Sequence, residues 1–252
     1  MKRLLRVLPL MVLVLFATSS AHAISLSSLM NGGSLTAGDK LFDQWQLVSY
    51  LASDPARSFN ADNIDVTALT DGGMSPGPGL KFNVSNGELN VAGDGIYAYV
   101  DLMFAFHVSV LDPLLRIKDN SLQYSPAGAY WTVSSDGSYD VGSYIKEVIG
   151  TSNGLTDLGT KNIEFSTMED QINGMSAISK ISDSATFDPQ SEIWITKNLL
   201  VWAVDTTDSA GIFGFEQRFS QEVAPVPEPS TILLLGGGLL AFVAVRRRKA
   251  KA

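Results

Sequence analysis

The longest regular pattern in the chain runs from Ile96 to Val110. Every even position is apolar: Ile96, Ala98, Val100, Leu102, Phe104, Phe106, Val108 and Val110. The odd positions mix Tyr97, Tyr99, Asp101, Met103, Ala105, His107 and Ser109. Period two over this length predicts a strand with one face on a core and one amphipathic face, with room for a bulge along it. Pro113 ends the run.

Shorter segments repeat the theme. Leu80 to Val91 reads as two strands around Asn86-Gly87, a dipeptide suited to the positive φ angles of a type I′ turn. Pairing the flanks sets Val84 against Leu89 and Phe82 against Val91, apolar on apolar. Ile193 to Thr196 and then Leu199 to Val204 read as strands buried on both faces. Phe213, Phe215, Gln217 and Phe219 mark a half-buried terminal strand that leads into the linker Gln221 to Val226. Asp39 to Tyr50 reads as a strand rather than a turn of helix. Turn signals punctuate the whole region, among them Asp71-Gly72-Gly73, Pro76-Gly77-Pro78-Gly79 and Asn153-Gly154. No long amphipathic helix, no βα alternation and no fixed repeat interrupts them. The pattern predicts an all-β fold, an antiparallel β-sandwich of jelly-roll-like kind.

The two ends follow a different pattern. Lys2, Arg3 and Arg6 precede an apolar run from Val7 to Ala17, then Thr18, Ser19, Ser20 and Ala21-His22-Ala23. A cationic start, a short apolar stretch and small residues at Ala21 and Ala23 are the order of a secretory signal peptide. It implies the Sec translocon and signal peptidase as partners, with Ile24 as the mature N-terminus. The run is short for an uncleaved anchor. At the other end, Pro227-Glu228-Pro229 precedes an uncharged stretch from Thr231 to Val245, followed by Arg246, Arg247, Arg248 and Lys249. As a helix that stretch spans about 22 Å at about 1.5 Å per residue, short of a hydrocarbon core of about 30 Å. It predicts a marginal single transmembrane helix whose basic cluster stays cytoplasmic and reaches the interface with long side chains. The predicted organisation is a signal peptide over 1–23, a β-sandwich ectodomain over 24–223 and a tail over 224–252.

The motif, the Gly-containing apolar stretch and the Arg cluster match, in order and spacing, the PEP-CTERM sorting domain of Gram-negative bacteria, which the last 28 or so residues closely resemble. The resemblance implies recognition by an exosortase, a membrane-embedded cysteine transpeptidase-like protease. It also implies export towards the cell surface or an extracellular polysaccharide or biofilm matrix. Pro227, Glu228 and Pro229 would then be recognised rather than catalytic. The body's opening, Gly32 to Phe42, and its end, Phe215 to Gln221, more weakly resemble ectodomains that precede such tails, which implies architecture only.

Charge sharpens this division. The chain carries 18 Lys and Arg against 26 Asp and Glu, a net charge of -8. Residues 24–223 hold 25 of the acids and only 10 of the basic residues, so the body alone stands at −15. Such a body repels phosphate backbones, which argues against a nucleic-acid partner. There is no Cys, so disulfides, thiolate metal sites and thiol nucleophiles are excluded.

Candidate chemistry is thin. Once His22 leaves with the signal peptide, His107 is the single histidine, too few for a histidine-built metal site. His107 with Asp101 would supply two parts of a Ser-His-Asp arrangement, but no Gly-x-Ser-x-Gly elbow exists. Paired carboxylates for glycoside hydrolysis remain an alternative without a motif. For Ca2+ the nearest candidates are Asp136-Gly137-Ser138-Tyr139-Asp140 and Gly93-Asp94-Gly95, neither an EF-hand loop. A glycan-binding module would use Trp131, Tyr124, Tyr130, Tyr139 and Tyr144, although aromatics in a sandwich more often serve the core. The expectation is a non-enzymatic structural or adhesive protein with no required cofactor, no catalytic residue and no metal site. A glycan-binding module or a polysaccharide-acting hydrolase delivered by the same route is the alternative.

Overall fold

The computed structural model describes residues 23–133, 140–170 and 174–225. The strands in chain order are β1 (Ile24–Ser25), β2 (Leu35–Ala37), β3 (Lys40–Ala52), β4 (Ile64–Leu69), β5 (Gly79–Val84), β6 (Asn90–Ala92), β7 (Ala98–Val110), β8 (Leu115–Tyr124) and β9 (Ala129–Thr132). They continue as β10 (Val141–Gly150), β11 (Gly159–Asp170), β12 (Gly174–Lys180), β13 (Ser182–Gln190), β14 (Glu192–Ala203), β15 (Ser209–Ile212), β16 (Gly214–Arg218) and β17 (Gln221–Val223). One sheet runs β1-β4-β5-β16-β8-β13, with β17 also on β8. A second runs β12-β11-β10-β14-β7-β3-β2, and a small third sheet is β6-β15-β9. The pairings are antiparallel. The expected all-β, antiparallel character is therefore present.

The two large sheets face each other across a shared core. Trp45 and Phe104 of the second sheet lie 6.3 and 5.8 Å from Phe82 of the first, ring centre to ring centre. Phe42 lies 5.4 Å from Phe219. Phe82 stacks on Phe215, and Trp45 on Phe106, each at 4.4 Å. Each such ring, fully withdrawn from water, contributes on the order of 1.5–3 kcal/mol. The even positions of β7 from Ala98 to Val108 supply much of the inner face, as the alternation predicts. The strand starts two residues later than the pattern. The Asp94 carboxylate accepts the backbone N–H groups of Ile96 and Tyr97 and turns the chain there, leaving Ile96 82% exposed. The strand expected over Asp39 to Tyr50 is β3. Its irregularities fall between Asp43 and Gln46 and between Leu47 and Ser49, so the bulges sit on this partner of β7.

Three expectations change. The Asn86-Gly87 turn forms, with φ of 53° and 69° and the Glu88 N–H on the Ser85 carbonyl at 3.1 Å. Its flanks do not pair with each other, however. Val84 pairs with Ile64, while Val91 pairs with Ala210 in the small sheet. The buried Glu88 carboxylate holds the Asn60 N–H and the Asn63 carboxamide, and Arg57 binds the carbonyls of Gly87, Glu88 and Asn90. These side-chain bonds carry the chain out of the first sheet. The second change is that Ile193 to Ala203 belongs to one strand, β14, whose two faces are unequally buried. Finally, Leu26–Met30 is a short helix α1 that no period announces. Ser25 caps it by accepting the Ser28 N–H at 3.2 Å, and Leu26 and Leu29 are buried.

The linker expected from Gln221 to Val226 instead opens with a further strand, β17, which closes the body by pairing with β8 from Gln221 to Val223. The Ala224 N–H then donates to the Leu114 carbonyl at 2.6 Å. Just before this, Gly77 (φ 80°) passes so close to the chain that a Cβ there would stand 1.9 Å from the Phe219 carbonyl oxygen. Only glycine fits that crossing. Among the described residues no helix is long and apolar enough to cross a membrane.

Candidate functional site

Between the same two sheets, bordering the aromatic rings, lies a cluster of charged and polar side chains. Its carriers follow strand geometry. On β10 the inward positions run Val141, Ser143, Ile145, Glu147, Ile149, and on β14 they run Ile193, Ile195, Lys197, Leu199, Val201. Glu147 pairs directly with Lys161 of β11 on one side and Lys197 of β14 on the other. The three form a row across the second sheet, and all are nearly or fully out of water. Asn120 of β8 and Gln217 of β16 come down on the row from the opposite sheet and are also fully buried.

The contacts are close and shared. Glu147 Oε1 accepts from Lys161 Nζ at 3.0 Å, from Asn120 Nδ2 at 2.5 Å and from Gln217 Nε2 at 2.9 Å. Glu147 Oε2 accepts from Lys197 Nζ, and Lys161 Nζ also donates to Asn120 Oδ1. Lys197 Nζ sits 5.3 Å from the Phe215 ring centre and 5.8 Å from that of Phe82, so its other faces meet aromatic π-clouds. Gln217 Oε1 is left buried without a hydrogen bond. Two ammonium groups and one carboxylate give the cluster a net positive charge in a water-free core, which is costly.

The ionisation equilibria reflect this. Burial pushes Lys161 down to about 8, against the pull of Glu147 and with help from the neighbouring Lys197 cation. Burial lowers Lys197 as well. Burial alone would raise Glu147, but Lys161 and Lys197 outweigh it and hold the carboxyl below the usual range. The arrangement thus offers an ionised carboxylate, an amine that loses its proton easily and a carboxamide, all in mutual contact.

A third buried lysine lies outside this cluster. Lys40, fully buried at the start of β3, donates to Asp39 at 2.7 Å and to the Gln221 carboxamide oxygen of β17. Burial again lowers its pKa, and Asp39 opposes that. This contact ties the last strand of the body to β3.

Neither cluster was among the candidates read from the chain, although a signal exists for the larger one. Glu147 and Lys197 fall on the apolar phase of alternating strands, a place where a charge is buried by position. Lys197 itself falls in the gap between the two apolar runs, Ile193 to Thr196 and Leu199 to Val204.

The residues singled out by sequence lie elsewhere. His107 is 8% exposed on β7; its Nδ1 stands 2.9 Å from Asp43 and its ring 5.3 Å from Trp194. Asp101 instead accepts from Asn198, so the structure does not bring Asp101 and His107 together. Asp94 caps its own turn, and Asp140 accepts from Trp202 Nε1 at 2.8 Å. Asp136, Gly137, Ser138 and Tyr139 fall outside the described residues. Among the described residues no group of three or more His, Asp or Glu side chains is gathered for a metal ion. Tyr124 is a core residue whose hydroxyl meets Ser143 at 3.1 Å, and burial raises its pKa. Tyr130 stacks on Phe213 and Trp131 tilts against Phe165, so these rings pair within the protein rather than forming one strip. Ala21, Pro227, Glu228, Pro229, Arg246, Arg247, Arg248 and Lys249 lie outside the described residues, while Ala23 is exposed one residue before β1.

Comparison with known proteins bears on the tail. The family model of the PEP-CTERM protein-sorting motif matches residues 225–249, beginning at the residue after Ala224. No curated protein matches the chain. Among solved structures, the enzymatically active domain of bacteriophage CBA120 tailspike protein 4 aligns with 71% of this chain and 19% of its own. The identity is 9% and the TM-score 0.24, too low to relate the folds.

Proposed function

Starting from a chain that carries a PEP-CTERM protein-sorting motif, we propose an exported structural or adhesive protein, sorted through its C-terminal tail and cleaved there by an exosortase. The observation that carries this reading is the position of the motif. Pairing to β8 ends at Val223, the last backbone bond of the body is made by Ala224, and the motif match starts at residue 225. A cut at or after Pro227-Glu228-Pro229 would leave β17 and every described core contact intact. The Lys40–Gln221 contact and the buried Phe219 anchor the body up to the point where the tail leaves it.

In this reading the N-terminal segment directs the chain to the Sec translocon, signal peptidase cuts after Ala23, and Ile24 enters β1 at once. The apolar tail and its Arg246–Lys249 cluster hold the precursor in the inner membrane of a Gram-negative bacterium until the exosortase acts. The body, a two-sheet sandwich, is then released to the cell surface or its polysaccharide matrix. A structural role is supported by the inward use of its unusual chemistry. The lysines, the glutamate and the carboxamides of the core meet one another, and the surface acids Asp94, Asp157 and Asp183 accept bonds from nearby backbone.

The test is to recover the exported protein from its host and map both ends by mass spectrometry. A mature N-terminus at Ile24 and loss of peptides beyond the Pro-Glu-Pro motif are expected. Exported protein that uniformly retains Arg246 to Ala252 overturns the sorting-and-cleavage reading and leaves a plain anchor.

A further inference from the structure

We propose that Lys161 and Asn120 join spontaneously in an intramolecular isopeptide bond, with Glu147 as the proton-transferring group, so that the two sheets become covalently linked through the core. Lys161 is on β11 of one sheet and Asn120 on β8 of the other. The amine nitrogen touches the carboxamide it would attack. A single carboxylate oxygen, Glu147 Oε1, contacts both the attacking nitrogen at 3.0 Å and the nitrogen that would leave at 2.5 Å. Proximity of this kind replaces a bimolecular encounter by a held geometry, and general acid–base transfer needs this hydrogen-bond reach.

The step balances as follows. Glu147 takes a proton from the Lys161 ammonium. The free amine adds to Asn120 Cγ, and the electron pair of the carbonyl moves to Oδ1. Glu147 passes its proton to Nδ2 and removes one from the new N–C junction. The Cγ–Nδ2 bond breaks, the carbonyl re-forms and ammonia departs. The one proton in excess leaves with it, so the net product besides the amide is ammonium. Nothing is oxidised or reduced and no co-reactant is consumed.

Two features of the site favour the product. Desolvation already weakens the hold of Lys161 on its proton. More importantly, the step removes the excess positive charge. Before it, Glu147 faces both Lys161 and Lys197; after it, the cluster is the neutral pair Glu147–Lys197, with Lys197 retained over the Phe82 and Phe215 rings. Expelling an unbalanced charge from a water-free core relieves a large solvation cost. The third buried lysine provides a contrast. Lys40 meets the Gln221 carboxamide oxygen, but its carboxylate, Asp39, contacts the amine, while Gln221 Nε2 faces the Gly73 carbonyl at 3.4 Å. Among the described residues no acid contacts the leaving nitrogen there.

Tryptic mapping of the full chain, folded and then denatured, tests this directly. Residues 119–146 and 147–161 are separate tryptic peptides in an unlinked chain. The linked protein should resist cleavage after Lys161. It should yield 119–146 joined to 147–180, lighter than their sum by one ammonia, with neither peptide found alone. Lys161→Arg keeps the charge without the nucleophile, Asn120→Ala removes the carbonyl, and Glu147→Gln removes the proton carrier. Each should abolish the joined peptide. Cooperatively unfolding wild-type protein that gives only linear peptides overturns the proposal. So does ammonia loss confined to peptide 119–146, or a link from Lys197. The result on the wild-type chain stands whether or not the variants fold. It is independent of tail processing, since the Ile24-to-Ala224 body carries all the participants.

Discussion

The core of this protein has two ends enclosed by the same pair of sheets and held by opposite physics. At one end Phe42, Trp45, Phe82, Phe104, Phe106, Phe215 and Phe219 pack ring on ring. At the other, Asn120, Glu147, Lys161, Lys197 and Gln217 fill comparable positions with charge and hydrogen bonds. The aromatic end gains from leaving water and tolerates any ring of the right shape. The polar end gains nothing from leaving water and holds together only while every partner is present. The difference teaches that inward position, not polarity, decides burial between these two sheets. A charge placed on the apolar phase of a strand is carried inside with its neighbours and must find its partners there.

The two ends can be told apart by how they fail. Glu147→Ala strands two ammonium groups and should destabilise the body by about 3–5 kcal/mol or more at neutral pH. Phe106→Ala empties ring volume in the stack with Trp45 and should cost about 3–5 kcal/mol. Denaturant melts across pH separate them. The Glu147 loss should shrink as pH rises and the lysines give up their protons, whereas the Phe106 loss should stay constant. Equal pH dependence in both would erase the distinction drawn between the two ends.

A smaller effect probes the lysine itself. In Asn120→Ala, which cannot form the link, Lys161 still titrates near 8 when folded and near 10.5 when unfolded. Between those values the unfolded chain binds more protons, so stability rises with pH, by up to about 3 kcal/mol. The wild-type protein, its Lys161 nitrogen already an amide, should lack that rise. Matching slopes in the two proteins would contradict the assignment of the titration to Lys161. The smallest effect belongs outside the core. Lys180 bridges Asp183 at 2.7 Å on the half-exposed edge, and Lys180→Ala should cost less than about 1 kcal/mol in the same melts. A larger loss would mean that the edge, too, depends on ion pairing.

Much of the fold is legible along the chain because sheet faces alternate. The inner face of β7 and the strand at Lys40–Ala52 follow from period two, as do the inward Phe215 and Gln217 of β16, although Phe213 lies outside that strand and is exposed. Partner choice is less legible. The Asn86-Gly87 turn forms with its expected backbone, yet Arg57 and Glu88 divert the next strand to another sheet. A local turn signal carries no information about bonds made by residues 30 positions away. The aromatic candidates met the same limit, since Tyr130 and Phe213 find each other only after the chain has folded back.

The sequence by itself determined that the chain is β-structured, that its body is strongly acidic and that a sorting motif follows it, because periodicity, charge and a contiguous motif are all local properties. Only the tertiary structure decided that Lys161, Glu147, Lys197 and Asn120 meet. They come from four strands on two sheets, and no local pattern specifies the register that sets a carboxylate between two amines. Their chemistry follows from burial, which turns residues that read as solvated charges into reactive neighbours by withholding the water that would keep them apart.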